Sequence, residues 1–390
     1  MGYVKFVITN KLKMSTIDLH SKPFNEETIT KLEIFENYAQ AWLPTFIMRP
    51  NPGPKICIFD FFAGTGYDKN GVAGSPIRFL RKILEQRGNM FQKNVKVHLY
   101  LNEYEPTKKH QQKFELLKKS CEKFLEDNSG LNHLVEISYS NEDCEILFPK
   151  WISEINKYPS LVYLDQNGVK FAGEKYFLAL EETTTTDFLY FISSSYYWRF
   201  GDKDEFKKHL NIDMEEAKKD PYKHIHRNIL AQLKTKMPIK SKLKLYPFSI
   251  KKDPNIHGII FGAKHPRAVD KFLTVAWEKN TTNGQANFDI DDDASKRQMD
   301  LFSGKKPPTK IERFQEDVRE KIIMGELINN KQLYDFTLEQ GHIGTHASSV
   351  LKSMKIKKEV NYDSTSPLVN YDSVYKKRKI LTYFVLGKKQ

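Results

Sequence analysis

"PKICIFDFFAGTG", residues 54–66, opens as a short apolar run and breaks at Asp60 into a loop carrying Gly64 and Gly66. An apolar run of this length without alternation is what a strand buried on both faces of a parallel sheet requires. The glycines after it lack Cβ atoms, so the backbone can bend sharply or approach a small ligand. The loop continues as "YDKNGVAGSP" (67–76), where Ser75 is read as an N-cap and Pro76 as a first-turn residue of a helix through "IRFLRKILEQR". Strand, glycine loop and helix make one α/β unit.

The same alternation continues downstream. "VKVHLYLNE" (95–103), "HLVEISYS" (133–140), "SLVYLD" (160–165) and "TDFLYFISSS" (186–195) read as strands. Helical stretches such as "TKKHQQKFELLKKSCEKFLED" (107–127) and "GEKYFLALEE" separate them. Five strands interleaved with helices predict a doubly wound, mostly parallel, Rossmann-like sheet. "KLKLYPFSI" (242–250) and "IHGIIFGAKH" (256–265) face each other across "KKDPN", a turn-forming centre that predicts an antiparallel hairpin. A parallel sheet closed by such a hairpin is the topology of class I S-adenosylmethionine-dependent methyltransferases, an analogy of fold. Upstream, "NEETITKLEIFENYAQAWLPTFI" (25–47) spaces Leu32, Phe35, Tyr38, Ala39 and Trp42 as one amphipathic helix ending near Pro44. A charged, mostly helical insertion covers 202–236, and its "KHIHRN" reads as a solvated helix surface.

The domain plan expected is an N-terminal helical segment (1–50), a Rossmann-like domain (51–280), a linker (281–310) and a C-terminal domain (311–390). The linker is inferred from "TTNGQANFDIDDDASKRQMDLFSGKKPPTK", where periodicity is lost and Gly, Asn, Asp and Pro collect. Beyond it, helix, turn, helix and β-hairpin predict a winged helix-turn-helix.

Composition narrows the partners. The 390 residues carry 62 Lys and Arg against 49 Asp and Glu, a net charge of +13, which favours anionic partners and nucleic acid first. No apolar run is long enough to span a membrane. Cys57, Cys121 and Cys144 are far apart with no CxxC pair, consistent with a reduced, cytoplasmic protein. No metal-ligand constellation, P-loop or H-E-x-x-H stands out.

"TKLEIFENYAQAWLP", "FDFFAGTG…GSP", "YLDQNGVKF", "DFLYFISSSYYWRF" and "FTLEQGHIGTHASSVLK", in order over roughly residues 28–360, resemble the three-Cys-motif partner protein family (TcmP). The resemblance implies a bacterial or mobile-element-linked system with a radical-SAM-like partner. The cysteines of the family name belong to that partner.

Asp60 to Gly66 is similar to the D-x-F-x-G-x-G first motif of class I methyltransferases. That similarity implies S-adenosylmethionine at the loop, with Phe62 packed beside it and Asp60 facing its amino group. Glu103, at the end of the second strand, would grip the ribose hydroxyls. Asp143 or Glu142 would meet the adenine amine. Asp165 and Asn167, after the fourth strand, stand at the catalytic corner, where amino-methyltransferases carry a D/N-P-P-aromatic stretch. Here Gln166 and Gly168 replace the first proline and the aromatic, and a polar strand-to-helix turn is the competing reading. "SSSYYWRF" (193–200) offers aromatic faces and Arg199 to bases and phosphates, or alternatively core residues with a paired arginine.

Residues 331–390 hold eleven Lys and Arg against five Asp and Glu. On the second helix of the winged helix, Thr345, Ser348, Ser349, Lys352 and Lys355 form an outward face suited to a DNA groove. Lys377 and Arg378, in "YKKRK" (375–379), flank the wing and would meet DNA or RNA phosphates. A winged helix used for protein contact is the alternative. "QMDLF" (298–302) resembles a sliding-clamp-docking peptide. Three functions follow as expectations: a methyltransferase-like protein acting on or with nucleic acid, a non-catalytic adaptor for a partner, or a pocket for another nucleotide.

Overall fold

The computed structural model describes residues 23–106, 112–165, 174–193, 198–199, 201, 212–252, 255–293 and 307–386. Seven strands form one sheet. β1 (Lys55–Asp60) runs parallel to β2 (Lys96–Asn102) on one side and β4 (Ser160–Leu164) on the other. β3 (Val135–Ser140) extends the sheet beyond β2, and β5 (Thr186–Ile192) extends it beyond β4, both in parallel. β7 (Asn255–Ala263) then lies antiparallel between β5 and β6 (Lys244–Lys252). The order β3-β2-β1-β4-β5-β7-β6 is that of a class I methyltransferase-like, Rossmann-like fold. It reverses between β1 and β4, which makes the carboxyl ends of these strands the expected ligand edge.

Alternation along β1 explains why both faces are covered. Ile56 and Ile58 join one core, while Cys57 and Phe59 join the other. The first core gathers α1 (Glu26–Ile47), α2 (Ser75–Glu85), α3 (Arg87–Lys93), α4 (Gln112–Asp127) and α9 (Pro266–Lys279). The second gathers α5 (Cys144–Lys157), α6 (Glu174–Glu182), α7 (Met214–Ala217) and α8 (Ile225–Thr235). All three cysteines are buried free thiols.

The C-terminal winged helix consists of α10 (Lys310–Met324), α11 (Asn330–Glu339), α12 (Gly344–Ile356) and a small sheet of β8 (Val360–Asn361) and β9 (Phe384–Val385). Thr309 and Glu312 close a capping box at the start of α10. An Asn329–Thr382 bridge adds the third edge that the fold expects. The wing is not the plain hairpin predicted, because a π-helical turn, Asp372–Lys376, interrupts it.

This unit is fused to the sheet rather than tethered to it. One apolar core runs from Ile58 through Trp277 to Phe314 and Leu351. Trp277 Nε1 donates to Gly341 O at 2.9 Å, and Tyr246 Oη donates to Leu338 O at 2.8 Å. Phe314 stacks on His342 at 3.9 Å between ring centroids. The winged helix is therefore held at one orientation on the β6/α9 flank.

Several sequence expectations change here. α1 does not stop at Pro44 but continues to Ile47, because burial of Phe46 and Ile47 outweighs the one backbone bond proline forfeits. Residues 281–293, read as linker from composition, pack on the sheet edge. Ala286 bridges Ser249, and Asn283 and Ile290 are fully buried. Their polar side chains satisfy backbone locally, as Asn283 Oδ1 does for Gln285 and Ala286 N–H. "KHIHRN" is not a solvated surface either. His226 is fully buried, with Nε2 3.3 Å from Ile192 O, in space left by Gly258, where a Cβ would strike the imidazole. Burial pulls its pKa down to about 3, so it stays neutral. The 298–302 peptide lies outside the described residues.

Candidate cofactor site and nucleic-acid interface

The loop after β1 is organised by its own polar groups. Asp60 is buried; its carboxylate accepts from Phe62 N–H at 3.1 Å and from Ser75 Oγ at 2.6 Å. Both oxygens serve the loop, so the carboxylate ties β1 to α2. Burial is the main influence on it and pushes its pKa up to about 7. Ser75 is consequently not the N-cap expected. That place falls to Gly74, and Ser75 is the first helical residue, its hydroxyl given to Asp60.

Gly64 and Gly66 have φ of 69° and 89°, the left-handed region where L side chains are strained. At Gly66 the missing Cβ makes room for α4: a Cβ would lie 2.6 Å from Ser120 Cβ, and Ser120 Oγ donates to Thr65 O. The extra residues 67–74 return on themselves. Asp68 accepts from the backbone of Phe24, Asn70 and Val72, and Gly74 N–H donates to Gly66 O at 2.8 Å. The excursion thus delivers the start of α2 to Gly66, as an uninterrupted loop would.

Glu103, just past β2, faces this loop. Its Oε2 accepts from Gly64 N–H at 2.9 Å. Burial, against the pull of that bond, raises its pKa to about 7. Asn102 beside it was not anticipated from sequence. Fully buried, it donates to Phe61 O and Glu142 O and accepts from Glu142 N–H, stitching the ends of three strands. An asparagine closing an apolar strand was the signal available.

Asp143 caps α5, accepting from Glu145 N–H, whereas Glu142 pairs outward with Lys150. The site elements from β1, β2 and β3 therefore meet at one edge. Phe62 is partly buried against the second core.

At the fourth strand the chain differs from the expectation of an available acid. Asp165 is bound by Lys31 of α1, Nζ to Oδ1 at 2.6 Å, and Lys31 also lies 4.4 Å over the Phe191 ring. Lys31 is buried to 9% exposure on α1 beside Glu27 and Thr30, which are also buried, and sequence reading passed over it. Asn167 lies outside the described residues. Arg199 is exposed near the β6–β7 turn, Nη2 3.4 Å from Asn255 Oδ1.

On the winged helix, Thr345, Ser349 and Lys352 lie exposed along α12. Ser349 Oγ accepts from Gln315 Nε2 at 2.8 Å. Lys355 does not face outward: its Nζ donates to Tyr362 O and Ser364 O and stands 4.1 Å over the Tyr362 ring, fastening the wing to the helix. Residues 376–380, with Lys377 and Arg378, form a continuous exposed run. Among the described residues no group of three or more His, Cys, Asp or Glu is placed to hold a metal, and no helix is long and apolar enough to cross a membrane.

Residues 287–367 match the GMT-like wHTH domain family. The chain is similar in structure to a candidate O-methyltransferase from Klebsiella pneumoniae, at 11% identity and TM-score 0.31, covering 62% of this chain and 90% of that one. It is also similar to the O-methyltransferase TomG of Streptomyces achromogenes, solved with SAM and involved in tomaymycin synthesis. There the identity is 11%, the TM-score 0.31, and the coverage 63% and 91%. The sheet order, not these distant likenesses, carries the fold. No curated protein matches the chain.

Proposed function

We propose that this chain binds S-adenosylmethionine at the β1–β2 edge and acts on, or together with, nucleic acid through its winged helix. On this reading it is a three-Cys-motif partner protein. The observation that carries the proposal is the meeting of the left-handed Gly64 with Glu103, whose Oε2 holds the loop. On this reading its other oxygen accepts from a ribose hydroxyl. Asp143 stands at the adenine side, and Asp60 and Phe62 shape the loop. The cofactor, when bound, supplies an electrophilic methyl group for a base or a partner-bound nucleotide. Asp165, held by Lys31, and Asn167 would position that acceptor.

Calorimetric titration with S-adenosylmethionine and S-adenosylhomocysteine tests this. Both ligands are expected to bind, and Gly64→Val to weaken them by roughly 100-fold, because a β-branched residue is strained at that φ and crowds the backbone. Affinity is expected to drop between pH 8 and 6 as the Glu103 and Asp60 carboxyls gain protons near 7, and the drop to shrink in Glu103→Gln to the part that Asp60 contributes. Silence from both ligands removes the cofactor from the account.

A second reading, a non-catalytic adaptor, is favoured by the Lys31–Asp165 pair, which occupies the acid that turnover would use. Cofactor binding without methyl transfer to any nucleic acid in the presence of the partner would select it.

For the winged helix, Lys352→Glu with Lys377→Glu is expected to weaken DNA binding. The slope of log K against log salt should fall by about 1 for each phosphate that the variant no longer neutralises. Fluorescence anisotropy across a salt series measures this; an unchanged slope takes α12 and the wing out of the interface.

A further inference from the structure

A cavity of about 390 Å³ opens at the opposite edge of the sheet, where β5 begins. Its walls come from both parts of the molecule: α1 and α9 from the Rossmann-like domain, and Tyr371 from the wing. Three side chains at its mouth are cationic, Arg49, Arg267 and Lys271. Among the described residues neither guanidinium has a carboxylate at ion-pair distance. Instead, Arg49 lies 4.2 Å over the Phe46 ring and Arg267 lies 5.3 Å over the Tyr371 ring. Burial, followed by the positive charge of Arg267, disfavours the charged form of Lys271. Burial is also the main influence that disfavours the charge on Arg49; Tyr371 acts against that influence and Arg267 adds to it. Asp187 acts in favour of the charge on Arg49, and Asp270 and Asp372 in favour of that on Lys271, but none of them lies at ion-pair distance from either guanidinium. The gathered like charges therefore still favour an arriving anion. A fourth cation, Lys264, is already committed to the carbonyls of Glu181 and Thr183.

The floor adds an independent sign. Thr186 Oγ1 is buried and, among the described residues, has no hydrogen-bond partner. Trp42 Nε1, by contrast, lies against the Asp187 carboxyl and favours its charged form. Thr186 and Trp42 both line the cavity. A buried hydroxyl left as Thr186 is costs stability and is ordinarily satisfied by an occupant. Among the described residues Asp187 is the single carboxyl in the lining; Tyr38 Oη donates to it at 2.8 Å, and its surroundings are Tyr38, Trp42 and Arg49. Burial pushes its pKa up to about 7 against the pull of Tyr38, Trp42 and Arg49, so near neutral pH an approaching anion meets a carboxyl that is only partly ionised.

We infer that this cavity binds a phosphate-bearing small molecule of mononucleotide size, with its phosphate at Arg49, Arg267 and Lys271 and its planar body on the side of Tyr371. Forked guanidinium donors match phosphate oxygens, and a cavity of this volume lies in the range of small-ligand sites. The enclosed floor favours a free phosphate ester over a strand of nucleic acid, which needs an open track.

The test is calorimetry on the full chain, saturated with S-adenosylhomocysteine so that an adenosine moiety cannot report from the other edge. The probes are inorganic phosphate, pyrophosphate, the four ribonucleoside 5′-monophosphates, the four parent nucleosides and a short DNA oligonucleotide. At least one monophosphate is expected to bind, tighter than its nucleoside by tenfold or more. Arg267→Ala and Arg49→Ala should each weaken it at least tenfold, and the isosteric Thr186→Val severalfold. All three variants should bind S-adenosylhomocysteine as the parent does, which separates this site from the proposed cofactor edge and confirms folding. Absence of binding by every phosphate probe overturns the inference, as does binding indifferent to Arg49, Arg267 and Thr186. Binding that depends on both arginines but is seen only with a DNA oligonucleotide also overturns it, and makes the cavity part of a nucleic-acid track.

Discussion

Gly344→Ala is expected to destabilise the protein by about 3 kcal/mol, the upper end of the cost of overfilling a packed site. Gly344 is the first residue of α12, and a Cβ there would be driven into the carbonyl oxygen of Val369, with the carbonyl carbon 3.2 Å away. The obstacle is backbone, which cannot rotate aside as a side chain would. That backbone is also anchored: Leu368 O accepts from Asn330 Nδ2 at 3.2 Å, and the Val369 side chain is buried. Helix propensity alone predicts the opposite sign, since alanine is favoured over glycine in helices by up to about 1 kcal/mol. Urea denaturation decides between the two. The accompanying expectation is faster proteolysis within residues 357–386 and weakened DNA retention, because the wing seats on α12 at this point. A neutral or stabilising alanine would show that the wing can shift away from the helix at no cost.

Asp187→Asn is expected to gain stability relative to the parent as pH rises from about 4 to 7, by a total on the order of 4 kcal/mol, and to level off above that. Asp187 is fully buried among Tyr38, Trp42 and β5, and desolvation raises its pKa from 3.8 to about 7. The folded parent therefore holds a proton that the unfolded chain has already released throughout that window. Where the native state binds more protons, stability falls with rising pH, and asparagine removes that loss. The amide oxygen can still accept from Tyr38 Oη, so the packing is kept. Comparing the two proteins isolates the effect from His226, His342 and His346. Burial lowers the pKa of each of these, and they act in the reverse direction, reducing stability as pH falls below about 6.5. Urea midpoints at four pH values between 4.5 and 8.5 provide the measurement. Parallel curves for the two proteins would mean that Asp187 is ionised in the native state across the whole range.

The two candidate sites were unequally legible in the sequence. The glycine loop, Glu103 and the strands bearing them announce themselves through local patterns: an apolar run, a break, and an acid at the next strand end. The cavity beneath β5 gives no such notice, because Arg49, Thr186, Arg267 and Tyr371 belong to four separate segments.

What the order of residues determined was the alternation of strands and helices, the closing hairpin, the glycine loop with its facing glutamate, and the helical-plus-hairpin plan of the C-terminal unit. Hydrophobic period and turn chemistry act over a few neighbours, so they can be read along a chain. Tertiary structure alone decided that Lys31 holds Asp165 across 134 residues, that Ser75 serves Asp60, and that Lys355 fastens the wing. It also decided that His226 fills the space Gly258 leaves. Each of these depends on which distant groups the packed cores bring within hydrogen-bond reach. A charged or polar residue in sequence does not declare whether its partner will be solvent, a ligand or another part of the same chain.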